Sequence, residues 1–260
     1  MRPHVAWIHV APIKALAIEA RDHVHVGKLG VAGDRRFCVV DPEGRMINGK
    51  RVPALVAVRP SFADEGRSLT LRMADGSSVS SDVALGHAVS VTIFGRECEA
   101  LEVDGPFSDA LSALAGRPLR LVRFAMEGEG VDRADELGAA TLLSQASLEE
   151  LGGVAGGDRP VDPRRFRMLF GVAGVPAHAE DAWIGKRIKI GEAVVTPLGN
   201  VGRCAVTTVD PVSGRSDLDT LAALAQYRGD QVTTEPLPFG VWARVDETGD
   251  VRLGDPVAAV

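Results

Sequence analysis

Gly199-Asn200-Val201-Gly202-Arg203-Cys204-Ala205-Val206-Thr207-Thr208-Val209-Asp210-Pro211-Val212-Ser213-Gly214 is the most informative stretch of this 260-residue chain. It reads as a loop, then a strand over residues 205–209, then a turn in which Pro211 fixes φ after Asp210. Cys204 then stands where a glycine-bearing loop enters a strand, beside the cation of Arg203. A neighbouring positive charge favours the thiolate, the form that attacks electrophiles and binds metals. Free cysteines are also among the most buried residue types, so the stretch alone leaves a packing role open.

The composition of 45% hydrophobic and 25% charged residues with 29 glycines and 15 prolines makes a globular chain, large enough for one domain or two small ones sharing a core. The 29 Lys and Arg against 35 Asp and Glu leave a formal charge of -6, so no general field attracts polyanions and nucleic acid is not an expected partner. Cys38, Cys98 and Cys204 are odd in number and far apart, which fits neither a disulfide framework nor a CxxC zinc knuckle and suits a reducing cytoplasm. Charges, prolines or glycines interrupt every apolar run before the roughly 20 residues a spanning helix needs. Pro12 and Lys14 break the N-terminal run before a signal-peptide core could form, so neither membrane nor secretion is expected.

Residues 5–101 alternate short β-branched runs with turn chemistry. Residues 36–40 precede Asp41-Pro42-Glu43-Gly44, while residues 69–73 and 89–93 alternate with period two, as half-buried antiparallel strands do. Helical signals are short. They cover residues 108–114 before Gly116, residues 147–151 with the S-x-x-E capping box of Ser147 and Glu150, and residues 218–226. Residues 127–138 and 152–162 read as loops. The fold expected from these patterns is mainly β, closed or sandwiched to hide its edges, with a few short helices.

The segment 203–214 resembles the R-C-x-x-T-T-V-D-P-x-x-G signature of the molybdenum-cofactor sulfurase C-terminal (MOSC) domain, followed by a helix ending in Tyr227-Arg228. Other blocks fall in the same order. Ile8-His9-Val10-Ala11-Pro12-Ile13-Lys14 and Gly33-Asp34-Arg35-Arg36-Phe37 resemble blocks of the family's N-terminal β-barrel domain. Leu142-Leu143-Ser144-Gln145-Ala146-Ser147-Leu148, Asp162-Pro163-Arg164-Arg165-Phe166-Arg167, Glu180-Asp181-Ala182-Trp183-Ile184-Gly185 and Leu253-Gly254-Asp255-Pro256-Val257 resemble blocks of the MOSC domain. The resemblance implies an N-terminal MOSC β-barrel domain over residues 1–104, packed against a MOSC-type β-barrel over residues 105–260.

It further implies a molybdenum-cofactor oxidoreductase similar to the amidoxime-reducing components, acting on N-hydroxylated or related N–O or S–O small molecules. Cys204 would be both the catalytic residue and the protein's ligand to molybdenum, a role suited to a soft thiolate. Lys14, Arg35, Arg167 and Arg203 would bind the molybdopterin, whose phosphate tail needs positive charge and directional donors. The chain has no C-x4-C-x2-C run for a fused iron–sulfur domain, so electrons are expected from a separate donor protein.

Ala15, Met168-Leu169 and the block 133–139 depart from the family pattern on the pterin side, where relatives carry a serine, Pro-Asn and F-x-D-G-x-P. Trp242 lies where relatives carry an aromatic near the site, and reads as core packing in preference to a cofactor contact. His9, His23 and His25 could be read as a metal cluster, without a Cys or carboxylate at ligand spacing to support it. No GxSxG, Walker A or GxGxxG occurs. Two other readings remain: a sulfur-carrying or cofactor-handling protein that uses Cys204 without redox turnover, and a MOSC fold that has lost its cofactor. The last expects Lys14, Arg35 and Arg167 to diverge in space.

Overall fold

Apolar side chains at Val5, Ile8 and Val10 bury one face of the strand His4–Val10, in a core shared with Val24 and Val26 nearby and with Leu142, Phe170, Val172 and Val241 more than 130 residues away. The computed structural model describes residues 2–133, 138–156, 160–233 and 235–260. Its largest sheet runs in the order Val257–Ala259, Ile188–Ile190, Ala193–Gly202, Pro238–Glu247, Ala140–Ser144, Phe170–Ala173, His4–Val10 and Glu19–Ala20. The first long strand of the chain is thus an inner strand of a sheet otherwise built mostly from the C-terminal half. It runs antiparallel to Phe170–Ala173, with Ile8 opposite Phe170.

A five-stranded sheet orders Ala84–Ile93, Arg96–Asp104, Arg120–Phe124, Phe37–Val40 and Ile13–Lys14. Its core gathers Ile13, Leu16, Phe37, Val39 and Leu121 with Leu55, Leu69 and Leu71. The strand Arg120–Phe124 hydrogen-bonds within this sheet although it lies beyond residue 104. Gly249–Arg252 pairs with His23–Gly27, a second place where the chain's two ends share a sheet. The molecule is mainly β, with a curled sheet and three α-helices among the described residues. No helix among those residues is long and apolar enough to cross a membrane.

The helices follow local chemistry. Phe107–Ala115 buries Phe107 and Leu111 and stops where Gly116 adopts φ 64°, a left-handed cap that glycine takes without a Cβ penalty. Thr220–Arg228 starts where the Asp219 carboxylate accepts the Ala222 N–H at 2.9 Å. Gln145–Val154 corrects the capping-box reading, because Ser147 lies inside this helix. Its buried hydroxyl instead accepts from the His178 N–H at 2.8 Å and donates to Glu180 at 3.4 Å. The need to satisfy polar groups on a loop distant in sequence outweighs the local motif.

A second correction falls on residues 205–209, expected as a strand. Ala205–Thr208 is a 3₁₀ turn, and the strand is the preceding Ala193–Gly202. The Thr207 and Thr208 hydroxyls donate to the carbonyls of Cys204 and Ala205 at 3.1 and 2.8 Å, which tightens the backbone instead of extending it. The Thr207 hydroxyl also contacts that of Thr220 at 2.6 Å, tying the turn to the last helix.

Gly171, on the strand facing His4–Val10, lets the two strands pack closely. A Cβ there would lie 2.0 Å from the Trp7 ring. Gly171→Ala is therefore expected to lower stability by about 1–3 kcal/mol through overpacking. The change is read as a lower urea midpoint, and replacing Trp7 with leucine in the same chain should restore part of it.

Candidate functional site

The strand Ala193–Gly202 ends where the Gly202 N–H donates to the Glu235 carboxylate at 2.8 Å. A Cβ at Gly202 would fall 2.7 Å from that side chain, so only glycine permits the approach. Beyond it the two neighbours part. Arg203 turns inward, donating to the Phe166 carbonyl at 2.9 Å and the Phe239 carbonyl at 2.9 Å, with the Met168 sulfur 3.0 Å away. Its guanidinium lies 5.3 Å from the Phe166 ring centroid and 6.0 Å from that of Phe239. Burial pulls the Arg203 pKa down to about 9, only partly offset by Cys204, Glu180 and Asp132. Arg203 reaches the wall of the site, but these N–H groups are committed to two main-chain carbonyls and the Met168 sulfur.

Cys204 faces outward and is exposed, whereas Cys38 and Cys98 are buried. Burial pushes the Cys38 thiol up to about 12 and raises that of Cys98. Cys204 stands at the junction of two connected hollows. One is a recess of about 170 Å³ that it lines together with Lys14, Arg35, Arg167 and Arg203. The other is a compartment of about 460 Å³ with Trp242, Arg133 and Thr141 in its wall. The Arg133 guanidinium sits 4.9 Å from the Trp242 ring centroid and pairs with Glu235. Trp242, read from sequence as core packing, is buried but lines this compartment.

The basic wall comes from three segments. Lys14 ends the strand Ile13–Lys14 and is only 6% exposed. Its Nζ donates to the Gly130 carbonyl at 2.8 Å, pairs with Asp132, and lies 5.5 Å from the Phe94 ring centroid. Arg35 pairs with Asp34 and donates to the Arg167 carbonyl at 3.1 Å. Arg167 donates to the Leu16 carbonyl at 2.8 Å, while its Nη2 is shut from water without an acceptor. Burial and then the Arg35 charge pull the Arg167 pKa down to about 10. Asp132 keeps an exposed side chain, so its partial desolvation is outweighed by the charges of Lys14, Arg35 and Arg167, which hold its carboxyl at about 2.

Ala15, Arg35, Phe94 and Arg167 all line the recess, and all adopt positive φ, at 80, 51, 49 and 54°. Only seven non-glycine residues among those described do so. Left-handed backbone at such residues costs of order 1–3 kcal/mol each and persists only where surroundings enforce it.

Lys14, Arg35 and Arg167 therefore converge, which opposes the reading that expects them to diverge. Asp132 and Phe94 join the site without any signal in the sequence. Asp132 is one acid among several in a loop, and Phe94 sits at a hairpin tip, so neither carries a local signal. Residues 134–137, within the divergent block 133–139, lie outside the described residues. Met168 and Leu169 are both buried, and the Leu169 N–H donates to the Thr141 hydroxyl at 2.8 Å. The three histidines do not assemble. His9 is buried beside Trp7, and burial lowers it to about 4, while His23 and His25 bind opposite oxygens of Asp250 at 3.1 and 2.8 Å.

Behind Arg203 lies Glu180, with no exposed surface. It accepts from the Ser144 N–H at 3.2 Å, and burial pushes it up to about 7.

Comparison with known proteins matches residues 2–116 to the MOSC N-terminal beta barrel domain and residues 135–258 to the MOSC domain. The chain is similar to the mitochondrial amidoxime-reducing component 1 of Xenopus laevis, 26% identical over 98% of this chain and 82% of that protein. The Danio rerio protein of the same name is 29% identical over 94% and 80%. A molybdenum cofactor sulfurase of Oryza sativa subsp. japonica is 27% identical over 76% of this chain and 28% of its own length. The crystal structure of the YUAD protein from Bacillus subtilis aligns over 99% of this chain and 94% of its own, at 13% identity and TM-score 0.46.

Two outcomes follow from this geometry. Arg203→Lys, whose single ammonium cannot reach the carbonyls of both Phe166 and Phe239, should cost about 1–3 kcal/mol in urea unfolding, whereas Cys204→Ser, at an exposed site, should change stability by less than about 0.5 kcal/mol. Because the Glu180 pKa rises from 4.5 in the unfolded chain to about 7, its contribution is intact below pH 4.5 and lost as pH rises through about 7. Thermal melts should therefore show wild type losing stability against Glu180→Gln across that window, and parallel pH slopes would contradict it.

Proposed function

The chain belongs to the MOSC family, with the N-terminal β-barrel domain joined to the MOSC domain, and from that membership we propose that it is a molybdenum-cofactor oxidoreductase acting on small N-hydroxylated or related N–O compounds. The observation that carries this reading is the gathering of Lys14, Arg35 and Arg167 with the exposed Cys204 on one recess.

The donor set suits the group. A solvent-facing thiol is a soft ligand for the metal. Lys14, Arg35 and Arg167 would hold the anionic pterin tail, and the unpartnered Nη2 of Arg167 has a donor to offer a phosphate oxygen. Asp132 already pairs with Lys14, so a bound phosphate would compete with it for that ammonium. When bound, the cofactor supplies the two-electron couple. The chain's own residues bind, orient and restrict water. Trp242 and Arg133 offer the wider compartment a flat wall for a small planar substrate. Similarity to proteins named as amidoxime-reducing components supports the reaction class.

A second reading uses the same exposed thiol as a persulfide carrier, and similarity to a molybdenum cofactor sulfurase favours it. Protein made in a host that synthesises the cofactor separates the two. Bound molybdenum and pterin, with amidoxime reduction under an artificial electron donor, are expected. Cys204→Ala should reduce activity to background, and Lys14→Ala or Arg167→Gln should weaken pterin retention about 10–100-fold, the loss of one charge-assisted hydrogen bond. Metal-free protein that takes up persulfide sulfur at Cys204 and reduces nothing would instead establish the carrier.

A further inference from the structure

A second cavity, of about 490 Å³, opens on the other side of the loop that carries Arg35 and shares no lining residue with the Cys204 recess or its compartment. The two faces of that loop are distinct: Asp34 and Arg35 turn to the Cys204 side, Gly33 and Arg36 to this cavity. Its wall holds Arg21, His23, His25, Arg36 and Arg123, and no carboxylate among the described lining residues. In a chain of net charge -6 this is a local reversal of sign.

The outer basic groups already have partners, Arg21 in Glu19, and His23 and His25 in Asp250. The inner pair is not. Arg123 lies opposite Phe37 in the five-stranded sheet, and the Phe124 N–H donates to the Arg36 carbonyl at 3.1 Å, so the two arginines are held as neighbours by backbone pairing. Neither has an ion-pair partner among the described residues. The Arg36 Nη2 donates to the Ala125 carbonyl at 3.3 Å, while its Nη1 and the Nε of Arg123 are shut from water with no acceptor. Burial, and after it the Arg36 charge, pulls the Arg123 pKa down. Two adjacent cations in this condition lack an anion. Beside them, Phe37 and Phe62 stack at 5.2 Å, and Val24 and Val31 add apolar wall. A volume of this size is typical of small-molecule sites, which combine apolar lining with a few convergent polar groups.

We propose that this cavity binds a small organic anion, its acidic head held between Arg36 and Arg123 and its flat apolar body against Phe62, Val24 and Val31. The site stands apart from the Cys204 chemistry and does not depend on it.

The probe is 2-naphthoate, with the uncharged 2-naphthalenemethanol as control, titrated by calorimetry into the full chain. Naphthoate is expected to bind at one site, at least about tenfold more tightly than the alcohol, and about tenfold or more weakly to Arg36→Gln and Arg123→Gln, as the loss of a charge-assisted contact requires. Arg167→Gln and Cys204→Ala should leave its affinity unchanged. On wild-type protein, naphthoate should protect Arg36 and Arg123 from phenylglyoxal, read by peptide mass spectrometry, and leave the exposed Arg59 unprotected. This measurement stands even where a variant misfolds. Equal affinity for the alcohol, absence of binding at millimolar probe, or an affinity that falls with Arg167→Gln and not with Arg36→Gln would each overturn the proposal. The last would put the anion in the Cys204 recess.

Discussion

The pairing of the strand His4–Val10 with Phe170–Ala173 is the constraint from which the site follows. Once Ile8 lies opposite Phe170 and the His9 N–H reaches the Leu169 carbonyl at 2.8 Å, the segment after the first strand and the segment before the second must run together. The Arg167 guanidinium then reaches the Leu16 carbonyl. The loop with Arg35 is drawn to the same place, because the Arg35 N–H donates to the Ala11 carbonyl at 2.7 Å and the Phe37 N–H to that of Pro12 at 3.1 Å. Backbone hydrogen bonds, insensitive to side-chain charge, thus assemble cations that would otherwise repel.

Gathering them is costly, and the structure shows how the cost is met. Asp34 answers Arg35 and Asp132 answers Lys14, while Arg167 remains under-satisfied and loses basicity through burial. Three of the basic or flanking residues, Ala15, Arg35 and Arg167, also hold left-handed backbone conformations. Unfavourable electrostatics and unfavourable torsions coincide at one recess and are sustained by the surrounding sheets, the pattern expected where a binding site is organised ahead of its ligand. A partner of opposite charge would relieve the first of these costs.

Arg203 and Cys204 show how little adjacency in sequence says about shared function. A sharp exit from the strand sends one side chain to the carbonyls of Phe166 and Phe239 and leaves the other facing solvent. The arginine ties the turn to the core, and the thiol beside it faces outward. Glu235 and the hydroxyls of Thr207 and Thr208 complete the bracing from the other side.

Much of this was legible in the chain itself. Period-two alternation at residues 69–73 and 89–93 specifies strands and Gly116 stops a helix, because each depends on residues only a few positions apart, and the thiol is marked by the resemblance of residues 203–214 to the MOSC signature. The 3₁₀ turn at Ala205–Thr208, the interior position of Ser147 in its helix and the part taken by Asp132 were not legible. Those depend on hydroxyls and carboxylates choosing among partners that only the folded chain supplies. The sequence by itself determined which groups could be cation, thiol or turn. Only the tertiary structure decided which of them meet, since that choice rests on strand pairing between residues more than 150 positions apart, and no local pattern encodes a register of that range.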